Sequence, residues 1–398
     1  MSKYLEKITL EDAALFGLLS IYFIFPESTV LSLVGHAFTA FFTLCVLLND
    51  SKNFKFPLLC GIYALFVISC FLSIFYSIEP GISTTKTITV AILLLLFVVG
   101  TNYFSHPENT IKFEIIFVTV SCMACVYLIL QGGFGSEGFG EAISNKNEVG
   151  VRLGLGGIVC LYSIFRKFKW WKIPVELLLA VCCAMTGSRS ALVVLLVGVV
   201  LMIMFGFSSK DQPVGLATIL VLSVIGITVY MVFNVPAFYD VLGYRFEQFF
   251  DLFTEGSGDS SANKRLELIQ KGIEVFEESP IYGQGLNTFA MVSKNIVGFY
   301  AFSHNNYIEL LTGIGLIGTT LHYIVPVGLA IASVILSKQS KETKLLGSLM
   351  FTLIAVSFIS DIFAVNYYHK HFVIIYMFVY GSYIAYHKET KPEVRVAL

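Results

Sequence analysis

Charged residues are scarce in this sequence, at 13% of its 398 residues, which is about half the share found in soluble domains. Hydrophobic residues reach 56%, so a water-soluble fold would lack the polar surface needed to cover its outside. Uncharged runs at residues 88–104 and 191–205 approach the length of a membrane span. The formal net charge of −1 gives no reason to expect a nucleic-acid partner. The composition therefore predicts an integral membrane protein with many spans.

Cysteine chemistry also has little support. All eight cysteines lie in apolar stretches, at positions 45, 60, 70, 122, 125, 160, 182 and 183. Cys122 and Cys125 have the spacing of a zinc or redox pair, but they sit in the middle of a predicted span without nearby histidines or acids. We interpret all eight as free thiols that pack as small apolar side chains. No cleavable signal peptide is expected, because the first apolar run lacks a small-residue cleavage site.

Apolar segments recur along the whole chain. A spanning helix needs about 20 apolar residues. We predict an all-α integral membrane fold of about 12 transmembrane helices, near residues 13–25, 29–48, 56–76, 88–104, 114–130, 149–165, 173–186, 190–207, 214–234, 307–336, 345–363 and 372–386. The first segment is short, so whether it spans is left open. The tenth is too long for one straight span and contains Pro326, so we expect it to be broken or to begin outside the membrane core.

The distribution of basic residues predicts the orientation. With both termini in the cytoplasm, 16 of the 26 basic residues lie on the cytoplasmic side, and five of the other ten fall in one long loop that the positive-inside rule discounts. The predicted organisation is nine transmembrane helices in residues 1–234, a long extracytoplasmic loop in residues 235–303, and three transmembrane helices with a cytoplasmic tail in residues 304–398. A shorter, glycine-rich outer segment covers residues 131–150.

Short helices are expected within the long outer loop. Residues 239–253 indicate an amphipathic helix at the membrane interface, because aromatic residues recur in it. A second helix should begin at Ser261 or Asn263 and end before Pro280. Its apolar residues recur at spacings of three, four and three and predict one buried face, formed by Leu266, Ile269, Ile273 and Phe276. Arg265 lies in the first turn, where a cation opposes the helix dipole unless an anion binds nearby.

The long loop is not a general anion-binding surface. It carries five basic and nine acidic residues, so an anion site there would depend on particular arginines. Arg189 is a second candidate, in a very short outer turn between two apolar spans. An arginine at a span end either snorkels to water or lines a polar cavity.

Three short sequence blocks, all predicted on the outer side, follow one another in a distinctive order. They are Thr-Gly-Ser-Arg-Ser-Ala at residues 186–191, residues 265–289, and residues 304–318, which open with His-Asn-Asn-Tyr. In this order, in a chain of many spans with a long outer loop, they resemble the O-antigen ligase and polymerase superfamily of bacterial membrane glycosyltransferases. Asn-Lys-Asn-Glu at residues 145–148 also looks like a feature of this family. The first 130 residues match only as apolar spans.

The resemblance implies transfer of a glycan from an undecaprenyl-diphosphate donor to an acceptor hydroxyl on the outer side of the plasma membrane. Arg189 and Arg265 are the candidates to bind the leaving diphosphate, because a guanidinium stays protonated and pairs with phosphate oxygens. His304 is the candidate general base for the acceptor hydroxyl, and nearby arginines would lower its pKa and keep it neutral. We expect an inverting single displacement without a metal or another cofactor. The sequence contains no Asp-x-Asp pair, the usual metal–diphosphate clamp of soluble nucleotide-sugar transferases.

Other residues are weaker candidates for substrate binding. Arg245 lies on the predicted interfacial helix, where a basic residue more often meets lipid headgroups. Lys146 and Asn147 are placed either to order the glycine-rich loop, which we favour, or to touch sugar. Asn305 and Asn306 directly follow the candidate base.

Simpler interpretations stay open for the main candidates. His304 could serve as a helix cap, Arg265 could be an ordinary solvated residue, and Arg189 could be a topology anchor. The histidines of segment 369–371 have a spacing usable for a metal. No acid lies near them in the sequence, so we interpret them as a span boundary.

Three functions are consistent with this pattern. We favour polymerisation of lipid-linked repeat units into a cell-surface polysaccharide such as O-antigen, capsule or exopolysaccharide, because the chain shows no added soluble domain for a protein acceptor. The second is ligation of finished glycan to a lipid core or protein. The third is transport of lipid-linked sugars, which is less favoured because the charged candidates gather at one surface. The expected partners are the lipid-linked donor, a glycan acceptor, the bilayer and a chain-length regulator, in the bacterial plasma membrane.

Overall fold

The computed structural model describes residues 8–24, 29–51, 53–132, 145–206, 260–297 and 300–390, with a few further positions between 223 and 239. The longer helices in these ranges are α1 (Leu10–Ile24), α2 (Thr29–Asp50), α3 (Leu58–Ser73), α4 (Pro80–Phe104), α5 (Pro107–Gly132), α6 (Lys146–Arg166), α7 (Lys172–Met185), α8 (Arg189–Gly206), α9 (Ser260–Glu278), α10 (Phe289–Val297), α11 (Asn306–Ser337), α12 (Lys341–Phe363) and α13 (Lys370–Thr390). No β-strand occurs within the described ranges.

Seven of the described helices are long and apolar enough to cross a membrane: α2, α4, α5, α6, α8, α11 and α12. α3 is apolar but has only 16 residues, and α1 and α7 have 15 and 14. The helices confirm the predicted all-helical, multi-pass membrane architecture, while the number of twelve spans stays a prediction. The predicted ninth span at 214–234 and the interfacial helix at 239–253 lie largely outside the described residues.

α6 lies deep inside the bundle, and all of its residues from 149 to 165 are buried. A Cβ added to Gly150 would lie 2.6 Å from both Ala191 Cβ and Thr186 Oγ1, so the neighbouring helices approach closely only because this residue is glycine. Small residues serve such close contacts in membranes, where apolar burial gives helices little drive to associate. The turn between α7 and α8 is thereby held against the second turn of α6.

α11 is interrupted at Gly315, whose φ of 62° and ψ of −167° are not helical. We expected an interruption because the segment is long and contains Pro326, but the helix continues through that proline. A proline removes one hydrogen bond, whereas a backbone in the left-handed region redirects the chain. The structure therefore corrects the position of the break.

The segment that follows α9 fills this break. Gln284 N donates to Thr312 O at 2.8 Å, and the next residue repeats the pattern one position along. In the other direction, Leu316 N donates to Pro280 O at 2.9 Å. A Cβ on Gly315 would lie 2.3 Å from a carbonyl oxygen of this segment, so no other residue fits. The second and third sequence blocks are thus joined through their backbones.

The buried face of α9 differs from the one predicted at positions 266, 269, 273 and 276. Leu266 and Ile273 are 53% and 46% exposed, whereas Leu268, Gly272 and Val275 are buried. A Cβ at position 272 would lie 2.2 Å from a side-chain methyl group of α11. The prediction was wrong for Leu266 and Ile273, while Ile269 and Phe276 are partly buried. The face is rotated because the closest helix contact depends on a glycine, which carries no hydrophobic signal.

Candidate functional site

The predicted site residues that the structure describes gather at one end of the bundle, which we call the motif end. It is the end at which α4, α6, α8, α11 and α13 begin. Ser83 Oγ donates to Leu286 O at 2.9 Å and joins the start of α4 to the segment after α9. His369 Nε2 lies 3.4 Å from Glu148 Oε1 and joins the start of α13 to that of α6. Blocks that are far apart along the chain therefore share one surface.

His304 lies in the short connection that leads into α11. Its φ is 52°, a left-handed conformation that a non-glycine residue rarely adopts. On one side, Asn305 Oδ1 accepts from Ile308 N at 3.1 Å and caps α11. On the other side, the buried Glu309 carboxylate accepts from Ser303 N at 3.1 Å and from its hydroxyl at 2.8 Å. These bonds fix the backbone around the imidazole.

His304 and Arg265 interact electrostatically. Burial lowers the pKa of the half-buried His304 imidazole below its usual value, and the nearby Arg265 guanidinium lowers it further. The neutral imidazole is thereby favoured, and it can accept a proton. Arg265 shares a helix face with Leu268 and Gly272, because these positions are three and four residues apart. Since α9 begins at Ser260, Arg265 lies in the second turn, and its conflict with the helix dipole is weaker than expected.

Arg189 is the first residue of α8, directly after a tight turn from α7. Gly187 makes this turn with a φ of 67°, and Ser188 Oγ caps α8 by accepting from Ala191 N at 3.3 Å. Arg189 is half-buried and adds a full positive charge to the positive end of the helix dipole. This combination suits an anion. The arginine that lowers the pKa of His304 is Arg265, so of the two candidates it is Arg265 that lies beside the imidazole.

Residues 175–323 match the family model described as O-antigen ligase. The match begins in α7, ends in α11 and includes Arg189, Arg265 and His304. It confirms the resemblance predicted from the three blocks. Together with the apolar helices, it makes this part of a multi-pass membrane protein similar to the O-antigen ligase family. A comparison with curated proteins gives no significant match.

Lys146 and Asn147 lie before the O-antigen ligase match, in the first turn of α6. Asn145 Oδ1 accepts from Asn147 N at 3.0 Å and caps this helix. Both candidate side chains are half-buried, and their contact with sugar stays a prediction. Arg245, the remaining basic candidate, lies outside the described residues.

Asn306, within the O-antigen ligase match, is fully buried and joins α11 to α12 and to the connection between α12 and α13. Its side-chain nitrogen donates to Tyr323 Oη at 3.0 Å and to Asp361 Oδ2 at 3.2 Å. Its side-chain oxygen accepts from the backbone N–H groups of Asn366 and Tyr367, at 2.8 and 2.9 Å. These bonds use the hydrogen-bonding capacity of the amide, so Asn306 builds the framework behind the candidate base. A direct contact between Asn306 and substrate stays a prediction.

The motifs did not indicate a polar cluster that lies beside them. Arg152 Nη2 lies 2.7 Å from Glu148 Oε2, and the other carboxylate oxygen faces His369. We expected no acid near segment 369–371, and the structure corrects this, because α6 brings Glu148 to it. The available signal was an arginine–glutamate pair at the start of an apolar helix, since charges in membrane segments are rare and often functional. Within the described residues, no three histidine, cysteine, aspartate or glutamate side chains are grouped to hold a metal ion.

Proposed function

We propose that the protein is an inverting glycosyltransferase that polymerises undecaprenyl-diphosphate-linked repeat units into a cell-surface polysaccharide on the outer face of the bacterial plasma membrane. The observation that carries this proposal is a half-buried imidazole, whose pKa is lowered by burial and by an adjacent arginine, at the same end of the bundle as a second arginine. A base near permanent cations is what transfer from a diphosphate leaving group needs. The match to the O-antigen ligase family supports the same chemistry.

The proposed reaction is a single displacement. The acceptor hydroxyl oxygen attacks the anomeric carbon of the donor sugar while its proton passes to a ring nitrogen of His304. The bond between the anomeric carbon and the diphosphate oxygen breaks, and that oxygen keeps the electron pair. Arg265 and Arg189 stabilise the negative charge on the departing lipid diphosphate, in the place of a metal. Attack opposite the leaving group inverts the anomeric configuration.

In the proposed topology, the motif end faces outward. Basic clusters at residues 166–172 and 338–344 directly follow the ends of α6 and α11, at the opposite end of the bundle, and the positive-inside rule places such clusters in the cytoplasm. Both termini are then cytoplasmic, and the donor reaches the site from the outer leaflet. A chain-length regulator is a further proposed partner of the polymerase.

Reconstitution tests this function directly. Purified protein in liposomes receives a defined undecaprenyl-diphosphate repeat unit, and the products are resolved by gel. A ladder that disappears in Arg265→Ala and in His304→Ala, and persists in Lys271→Ala, would establish a polymerase that uses those residues. Lys271 is a matched control because it lies on the same helix as Arg265, in an exposed pair with Glu274.

Two other outcomes would redirect the proposal. If no ladder forms, but donor is consumed once a lipid-core or protein acceptor is added, the protein is a ligase. If the folded protein leaves the donor intact with every acceptor, catalysis is rejected and transport of lipid-linked sugars becomes the leading function.

A further inference from the structure

Glu148, Arg152 and His369 form a second polar group at the motif end, which we call the Glu148 cluster. Arg152 Nη2 lies 2.7 Å from Glu148 Oε2, and the other carboxylate oxygen lies 3.4 Å from His369 Nε2. Beside them, Lys86 Nζ lies 3.5 Å from the centre of the Tyr368 ring. Residues from α6 and from the connection into α13 therefore meet around the Glu148 carboxylate, and Lys86 of α4 reaches the neighbouring Tyr368.

Part of the hydrogen-bonding capacity of the Glu148 cluster is unused. Arg152 is only 6% exposed, yet its Nε has no hydrogen-bond partner within the described structure. Buried polar atoms are nearly always bonded. The side chains of Glu148 and His369 remain 16% and 10% exposed, so the cluster is not fully enclosed.

The charges of the ion pair within the cluster balance, and this indicates the class of ligand. The Arg152 cation is paired with the Glu148 anion, and nearby Lys86 interacts electrostatically with another anion, Glu309. A site of balanced charge is poorly suited to a diphosphate. Carboxylate, guanidinium and imidazole groups together suit sugar hydroxyls, which both donate and accept hydrogen bonds.

The Glu148 cluster is linked to the proposed base through Glu309, Lys86 and Tyr368. Glu309 accepts from Ser303, the residue before His304, and interacts with Lys86. Lys86 in turn covers the Tyr368 ring at the edge of the cluster. We propose that the Glu148 cluster is a glycan-binding subsite that holds sugar hydroxyls next to the base, with the acceptor glycan as its ligand. This inference rests on the proposed function, since it assigns the acceptor side of that reaction.

Chemical modification of histidine tests this subsite without requiring catalysis. The full-length protein in nanodiscs is treated with diethyl pyrocarbonate, and each histidine is read by mass spectrometry. The probes are inorganic pyrophosphate, the intact lipid-linked repeat unit of the producing cells, and the oligosaccharide released from that unit by mild acid. At about ten times its Kd, the free oligosaccharide should slow modification of His369 roughly tenfold. Pyrophosphate should slow modification of His304 and leave His369 unchanged.

Glu148→Gln is the diagnostic variant, and Lys271→Ala is its control. In Glu148→Gln, the oligosaccharide should no longer protect His369, while pyrophosphate should still protect His304. Unchanged reactivity of His106, whose side chain is 44% exposed at the opposite end of the bundle, reports an intact fold. If the variant does not fold, the protection measurements on the wild-type protein decide alone.

The remaining outcomes separate this inference from the proposed function. Protection of His369 by the intact unit alone would assign the subsite to the donor sugar and reject the acceptor. Protection by pyrophosphate, protection by neither glycan, or a His369 that never reacts would overturn the subsite. A protected His369 without any product ladder would reject polymerisation and leave the glycan subsite standing.

Discussion

The two ends of the helical bundle are built in different ways. At the end opposite the motifs, charges form ion pairs between helices: Lys112 Nζ lies 2.8 Å from Asp12 Oδ2, and Arg166 Nη2 lies 2.7 Å from Glu114 Oε2. At the motif end, the backbone is unusual instead. Every residue with a left-handed φ in the described part of the chain lies there, namely Gly187, Gly283, Gly285, Asn287, His304 and Gly315.

Under the proposed function, this difference separates parts that serve stability from parts that serve chemistry. A non-glycine residue held in the left-handed region costs about 1–3 kcal/mol and persists only where its surroundings fix it. Capped helices and ion pairs are sufficient to hold helices together, as the opposite end shows. The motif end instead carries a constrained histidine beside an arginine, and this supports the proposed reaction.

His304→Ala should give the largest functional change at the motif end. A positioned general base typically contributes ~10²–10⁴ in rate, so product formation in liposomes should fall by about that factor. The unfolding temperature should change little, because the half-buried side chain lies in a connection rather than in a helix. A variant that keeps the wild-type rate would reject His304 as the base.

Lys112→Met, at the opposite end, should lower stability without lowering the rate. The change leaves Asp12 buried without its cation, and breaking a buried pair typically costs about 3 kcal/mol. Unfolding in detergent should show this loss, while the rate per folded molecule stays unchanged. Lys271→Ala, which breaks an exposed pair, should alter stability by less than about 1 kcal/mol. A slower rate without a loss of stability would mean that both ends take part in function.

Gly315→Ala should cause a smaller loss of stability, centred on the break in α11. An alanine there must adopt a φ of 62° and would place its Cβ 2.3 Å from Ile281 O, which should cost about 1–3 kcal/mol. The matched control is Gly61→Ala in α3, where the nearest atom to the new Cβ lies 3.8 Å away. That change should be neutral or stabilising, because alanine favours a helix by about 1 kcal/mol over glycine. Equal unfolding temperatures for the two variants would contradict the described break.

Features that depend on one segment alone were predictable from the sequence. Hydrophobic length predicted the helices, and the ordered blocks predicted Arg265 and His304, which the structure brings together. The face of α9 was not predicted, because its closest contact depends on Gly272. The break in α11 was linked to Pro326 rather than Gly315, because the break requires a partner segment that span length does not reveal.

The pairing of Glu148 with His369 shows where sequence reasoning ended in the candidate site. The two residues are far apart along the chain, and their contact depends on how α6 lies beside the start of α13. No periodicity or spacing encodes such a meeting. The arginine–glutamate pair at the start of α6 could have drawn attention to one half of the cluster, but not to the histidine that completes it.

The smallest expected effect is a shift in pH dependence at the motif end. Burial and Arg265 both lower the pKa of His304, so its neutral form persists below the usual histidine range, and the rate falls only as the pH drops through the lowered value. Arg265→Gln removes the charge but keeps the burial, so the pKa of His304 should rise part of the way towards the usual histidine value. The loss of rate at acidic pH should then begin at a higher pH.

Carbethoxylation of His304 against pH measures this shift even where transfer is slow, because the neutral imidazole is the form that reacts. His106, which pairs with Asp50 at 3.1 Å at the opposite end, should give the same profile in both proteins. If the His304 profile were equally unchanged, Arg265 would not act on the imidazole. The arginine–histidine pairing that distinguishes the motif end from the opposite end would then have to be abandoned, and the constrained backbone around His304 would need another explanation.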